Sequence, residues 1–233
     1  MEATGIDSSG RRFAGVITTC LVAVAIMEMI AEYYRNVSAI LIFKPLLMPL
    51  LALLYWQTSA RPNRLYLIGL FFCWMSNILF VWKDFNFIVA GACVLFVYRI
   101  IDIYLVLRQV NRPGAFPLFV GSIPFFFMYL YLIYVANIVL GKGLLIFIIQ
   151  CALITFLGGV SVANHILNPS NSSLRLLVST LFFAVVQFIF VFREQYPAIN
   201  FQPFAMALFV SAQYLFYKFM LDGEAESSKL DLQ

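Results

Sequence analysis

The sequence predicts an all-α, polytopic integral membrane protein of eight transmembrane helices, and three observations carry that reading. Of the 233 residues 63% are hydrophobic and 11% charged, where a soluble domain carries about 45–50% apolar and about 25% charged residues. The mean hydropathy is +0.93. A bilayer core of about 30 Å needs about 20 apolar residues per helix, and the chain supplies eight such runs, at 13–31, 37–56, 65–82, 86–106, 116–136, 144–167, 176–192 and 201–220. Together they make residues 1–220 a single transmembrane domain. The connections between the runs are short.

Taken in order, the first run is too long for a cleavable leader, ends in Glu28 and Glu32, and has no small-residue cleavage site after it. It is expected to stay as helix one. Helix two contains Pro45 and Pro49, which cannot donate to the helical ladder and should open it beside Lys44. The turns that follow carry breaker sequences: TSARPNR at 58–64, NRPG at 111–114, GKG at 141–143 and NPSNSS at 168–173. Helices joined this tightly pack as antiparallel neighbours. Helices three and seven echo one another, LFFCWMSNILFVW at 70–82 against LFFAVVQFIFVF at 181–192, an echo consistent with a duplicated four-helix unit. The polar segment 221–233 is expected to be a disordered cytoplasmic tail.

Orientation follows from where Lys and Arg lie. One side collects Arg11, Arg12, Arg61, Arg64, Arg108, Arg112, Arg175, Lys218 and Lys229, the other only Arg35, Lys83, Lys142 and Arg193. Both termini are therefore expected in the cytoplasm. The formal charge of +4 reads as attraction to anionic headgroups of the lipid bilayer, and the chain has no basic stripe for a nucleic acid. Cys20, Cys73, Cys93 and Cys151 all fall inside spans, where they read as small apolar residues and not as a disulfide or metal framework. No metal site, nucleotide loop or cofactor motif is expected.

Polar groups inside spans cost several kcal/mol and are functional candidates by default. Here they are Glu28, Lys44, Asn77, Arg99, Asp102, His165 and Gln187. At 1.5 Å per residue Glu28 lies roughly 22 Å along helix one and Lys44 roughly 10 Å from the opposite face, depths that suit an ion pair. Asn77, Arg99 and Gln187 come out roughly 17 to 18 Å from their own entry faces, near the midplane. One reading makes these residues structural: Arg99 and Asp102 share a helix face and neutralise each other, and Asn and Gln serve as interhelical glue. The other reading gathers them into a polar pocket. Glu32 and His165 fall near the two membrane faces, within reach of water.

FKPLLMPLLALLYW at 43–56, GLFFCWMSNILF at 69–80, FIVAGACVLFVYRIIDIY at 87–104 and ALFVSAQYLFYKFM at 207–220 resemble the YhhN family of eight-helix membrane proteins, whose animal members are lysoplasmalogenases. Lys44-Pro45-Leu46, Gly91 and Ala212-Gln213 are its most specific parts. The resemblance implies hydrolysis of the vinyl-ether bond of a lysoplasmalogen, a lysophospholipid partner, and two carboxylates, one as general acid and one ionised. It also implies that this chain departs from the pattern. Where the family keeps Gly-Asp in helix three and Ser-Asp in helix seven, the sequence has Ser76-Asn77 and Val186-Gln187, and a family histidine falls on Arg99. An amide keeps the size of an acid but supplies no proton. Glu28, Asp102 and His165 are the groups left within the spans to act as acid; Arg99 is expected to hold Asp102 ionised, which favours Glu28, while the nearness of Lys44 counts against it. Two functions stand side by side: a YhhN-type hydrolase with altered chemistry, and a non-catalytic protein that binds or moves an amphiphile, with Lys44, Arg99 and Gln213 holding its polar end.

Overall fold

The computed structural model describes residues 8–82, 84–110, 113–140, 143–195 and 200–230. Lys83, Arg112 and Lys142, which entered the charge bias, lie outside the described residues. The described chain is all helix, in the order α1 (Ser8–Tyr33), α2 (Val37–Thr58), α3 (Arg64–Leu79), α4 (Phe85–Gln109), α5 (Ala115–Leu140), α6 (Leu144–Leu167), α7 (Asn171–Gln195) and α8 (Gln202–Leu230). Seven are long and apolar enough to cross a membrane; α3, at 16 residues, is shorter. Phe116, Phe119, Phe127 and Leu145 stand exposed on the outer surface. A helical bundle that turns large apolar side chains outward is consistent with an integral multi-pass membrane protein.

The boundaries have local causes. Asn36 accepts the amide of Ala39 at the start of α2, and Asn63 accepts that of Leu65 at the start of α3, which satisfies donors with no partner inside the helix. At the start of α7 Ser170 and Ser173 cap each other, the Ser170 amide donating to Ser173 Oγ at 2.9 Å and the Ser173 amide to Ser170 Oγ at 3.0 Å. His165 Nδ1 lies 3.0 Å from the same Ser173 hydroxyl. The histidine near the membrane face thus serves the α6–α7 turn.

Residues 221–230, expected within a disordered tail, continue α8 instead. Two features explain the correction: Glu, Ala, Lys and Leu in this stretch are good helix formers, and its acids are held. Arg175 donates to both oxygens of Asp222 at 2.7 and 2.5 Å. Glu224 accepts from Tyr55 and, at 2.6 Å, from Ser59, so the α8 extension is fastened to the ends of α2 and α7.

Consecutive helices pack together except α4 and α5, and α8 returns to lie against α1 and α2 as well as α7, while α4 reaches past α5 to α6. The result is a closed ring with α5 outside it, against α6 and α7. Two seams are unusually close. A side-chain carbon on Gly91 of α4 would stand 2.9 Å from Phe80, and Ser76 donates across the gap to the Gly91 carbonyl at 3.0 Å. On α6 a carbon at Gly159 would stand 2.0 Å from Ser122 Oγ. Glycine lets the backbones meet there, as is usual where small residues line a membrane-helix interface.

Candidate functional site

The ring encloses a polar core built from α3, α4 and α8. Arg99 and Asp102, one turn apart on α4, are both buried, with Arg99 Nη1 3.7 Å from Asp102 Oδ2. The guanidinium does not chelate the carboxylate. It lies over the Phe183 ring of α7 at 4.1 Å from the centroid, a cation–π contact that is strengthened by exclusion of water. Opposite, Gln213 of α8 donates to the Tyr98 hydroxyl at 2.8 Å and to Cys73 Sγ at 3.3 Å. The Tyr66, Cys73 and Tyr98 side chains all lie within electrostatic range of Asp102.

Asn77 sits at the edge of this core, half-buried. Its amide donates to the Cys73 carbonyl at 3.0 Å, one turn back on its own helix, and approaches Cys73 Sγ at 3.6 Å. Gln187, also half-buried, donates to Cys151 Sγ on α6 at 3.3 Å. Each amide singled out by the sequence therefore spends a donor on a buried cysteine. The two cysteines do more than fill space: their sulfurs serve as soft acceptors. Cys151 and Arg99 both lie within range of the Tyr129 hydroxyl on α5, which links the α7 amide to the core through α5 and α6.

Several polar atoms of this core have no hydrogen-bond partner: Arg99 Nε and Nη1, both Asp102 oxygens, Gln213 Oε1 and the Tyr66 and Tyr129 hydroxyls. A buried polar atom left unpaired costs about 1–3 kcal/mol.

Lys44 does not join this core. Its ammonium donates to Glu32 at 2.8 Å and lies 3.8 Å from Glu28. The expected Glu28–Lys44 proximity is present, with Glu32 as the closer partner: Glu32 follows Glu28 by one helical turn and meets the lysine head-on. Among the described residues no hydrogen bond or ion pair joins Lys44 to Arg99. Each cation is answered by acids of its own neighbourhood, α1 for Lys44 and α4 itself for Arg99. The helical ladder opened by proline is also closed locally. Pro49 has no N–H to give the Pro45 carbonyl, and the indole of Trp74 on α3 supplies one at 2.8 Å. Two hollows, of about 260 Å³ beside Trp74 and about 130 Å³ beside Phe188, are apolar, and neither is lined by a residue of the polar core.

A model described as the YhhN family matches residues 39–220, most of the chain. The protein belongs to the YhhN family. No curated protein and no solved structure matches it. The matched segment of this YhhN protein begins inside α2, so it takes in Lys44 and the whole polar core but leaves out α1 with Glu28 and Glu32. Sequence reasoning passed over Tyr66, Tyr98, Tyr129 and Phe183 because aromatic residues in an apolar span read as packing. The one available signal was the placing of Tyr98 a helical turn from Asp102.

Proposed function

We propose that this YhhN protein crosses the bilayer eight times with both termini in the cytoplasm, takes a lysoplasmalogen-like single-chain ether lysophospholipid into its polar core, and hydrolyses the vinyl-ether bond. The echo between α3 and α7 supports the same proposal's duplicated four-helix plan. The reaction adds a proton to the distal vinyl carbon and water to the resulting oxocarbenium carbon; the hemiacetal then collapses to a fatty aldehyde and a glycerophospho-alcohol. The family acids being amides here, Asp102 is the carboxyl that remains in the core. A single carboxyl can serve throughout: it gives the proton, faces the cation as a carboxylate, and recovers a proton from the attacking water. Against the expectation that Arg99 holds Asp102 ionised and leaves Glu28 as the acid, the guanidinium is stacked on Phe183 and does not chelate the carboxylate, and Glu28 stands outside the core beside Lys44. The tyrosines and Gln213 present hydroxyl and amide groups to the polar part of the lipid.

The observation that carries this reading is the Asp102 carboxyl, fully buried, with the Tyr98 hydroxyl beside it and a cation held off at 3.7 Å. Because these residues are buried, a ligand reaches them only by parting helices. Purified protein supplied with a lysoplasmalogen should release aldehyde, and Asp102→Asn should abolish the release while leaving lipid binding intact. Release that survives Asp102→Asn would overturn the assignment.

Asn77 and Gln187 favour a second reading. Neither can supply a proton, and both are already engaged with sulfur acceptors, which suits a protein that binds or moves the amphiphile without turning it over. Lipid binding with no aldehyde from the wild type supports that reading over the first.

A further inference from the structure

We infer that Asp222 and Glu224, just past Leu221 on α8, are the catch of a strap across one end of the ring. Closed, the strap holds α3 in place beside the polar core; released, it opens the core from the end of the bundle where α2 passes into α3. The inference does not depend on what the core binds.

The catch is polar where most of the bundle is apolar. Arg175 of α7 donates to both oxygens of Asp222, and Glu224 accepts from Tyr55 and, at 2.6 Å, from Ser59 at the end of α2. Between the two acids Gly223 lies against α4: a side-chain carbon there would stand 2.5 Å from Gln109 Cδ. Three consecutive residues of α8 thus gather the ends of three other helices. Water reaches this catch. The Arg175 and Asp222 side chains are 37% and 30% exposed, and an ion pair so solvated is weak and readily exchanged for water. The apolar seams of the bundle have no such alternative partner, so this end can part while they hold.

What the catch restrains is α3. The Tyr55 hydroxyl that donates to Glu224 also accepts the Asn63 amide at 2.9 Å, and Asn63 in turn caps α3 through the amides of Leu65 and Tyr66. The tail of α8 therefore reaches the first turn of α3 through one tyrosine. α3 is the shortest of the described helices, and it carries Tyr66 and Cys73, both fully buried. Beneath the catch the Tyr55 and Tyr66 rings meet edge to face, 4.6 Å between centroids, and Tyr66 lies within electrostatic range of Asp102. Losing the Glu224 contact frees the Tyr55 hydroxyl, then Asn63 and the start of α3, and so uncovers the way to the core. The catch falls just past the matched family segment, which ends at residue 220.

The test follows two buried thiols in full-length protein in detergent. Replacing the exposed Cys20 and Cys93 with serine leaves Cys73 beside the core and Cys151 in the separate apolar cluster of α5, α6 and α7. A small water-soluble thiol reagent, read by peptide mass spectrometry at one pH, gives the rate of modification at each. Glu224→Ala removes the acceptor, and Gly223→Val wedges the tail off Gln109. Each should speed modification of Cys73 by about tenfold, the size of one charge-assisted contact, and leave Cys151 as slow as in the wild type. Glu224→Gln, which keeps an acceptor oxygen, should fall between. Unaltered Cys73 rates in both variants would overturn the strap, and so would equal acceleration at Cys151, which marks a general loosening. If Gly223→Val does not fold, Glu224→Ala and Asp222→Asn decide by the same two rates. Aldehyde release is not part of the readout, so the strap and the proposed hydrolysis fail separately.

Discussion

The two buried charge groups use the same ingredients, a cation beside carboxylates inside an apolar bundle, and put them together differently. In the Lys44 group the partners lie on two helices, and the 2.8 Å bond from Lys44 to Glu32 ties α1 to α2. In the Arg99 group cation and acid share one helix at 3.7 Å, so their attraction cannot hold helices together. Interhelical work there falls to Gln213, which reaches Cys73 and Tyr98, and to Phe183 under the guanidinium. The first group is a fastener in which one cation faces two acids. The second is a loosely closed pair among unpaired hydroxyls and amides, the poorer arrangement for stability.

The contrast can be broken most sharply at Arg99. Arg99→Ala leaves Asp102 buried without a counter-charge, and the expected loss is about 3–5 kcal/mol, read as a lower unfolding temperature in detergent; Arg99→Ala with Asp102→Asn should recover most of it. A double variant no more stable than Arg99→Ala would mean that the guanidinium acts through Phe183 and not through the acid. Next in size is Lys44→Met, which removes the tie from α2 to α1 and leaves two acids together. Because Glu32 borders the surface, the cost should be smaller, about 2 kcal/mol, and Glu32→Gln in the same background should reduce it. Smallest is Asn77→Leu. The amide bonds a carbonyl of its own helix and approaches a sulfur, so the loss should stay below about 1 kcal/mol; a larger drop would place Asn77 inside the core and not at its rim.

The helical plan was legible because apolar runs of membrane length leave few alternatives, and the caps Asn63 and Ser170 stand where turn sequences put them. Lys44 near Glu28 and Arg99 beside Asp102 were legible from depth and spacing, which need only the rise of a helix. What depth cannot give is rotation about the helix axis. That is why Glu32, one turn on from Glu28 and on the same face, proved the closer partner of Lys44, and why Lys44 and Arg99, both inward-facing, serve different groups. Partners such as Phe183, Tyr129 and the two cysteine sulfurs were hidden for another reason: in a span rich in aromatics nothing in the sequence separates a ring that packs from a ring that receives a cation. The continuation of α8 was missed because its anchors, Tyr55, Ser59 and Arg175, lie far from it along the chain.

The contact between Trp74 and the Pro45 carbonyl has a practical reach. An indole whose N–H is tied to the backbone next to Lys44 is a native optical gauge, sensitive to any displacement of that lysine. With Trp56 and Trp82 as the other indoles in the chain, replacing both with phenylalanine would leave a single indole, reporting from the carbonyl of Pro45, the residue that follows Lys44.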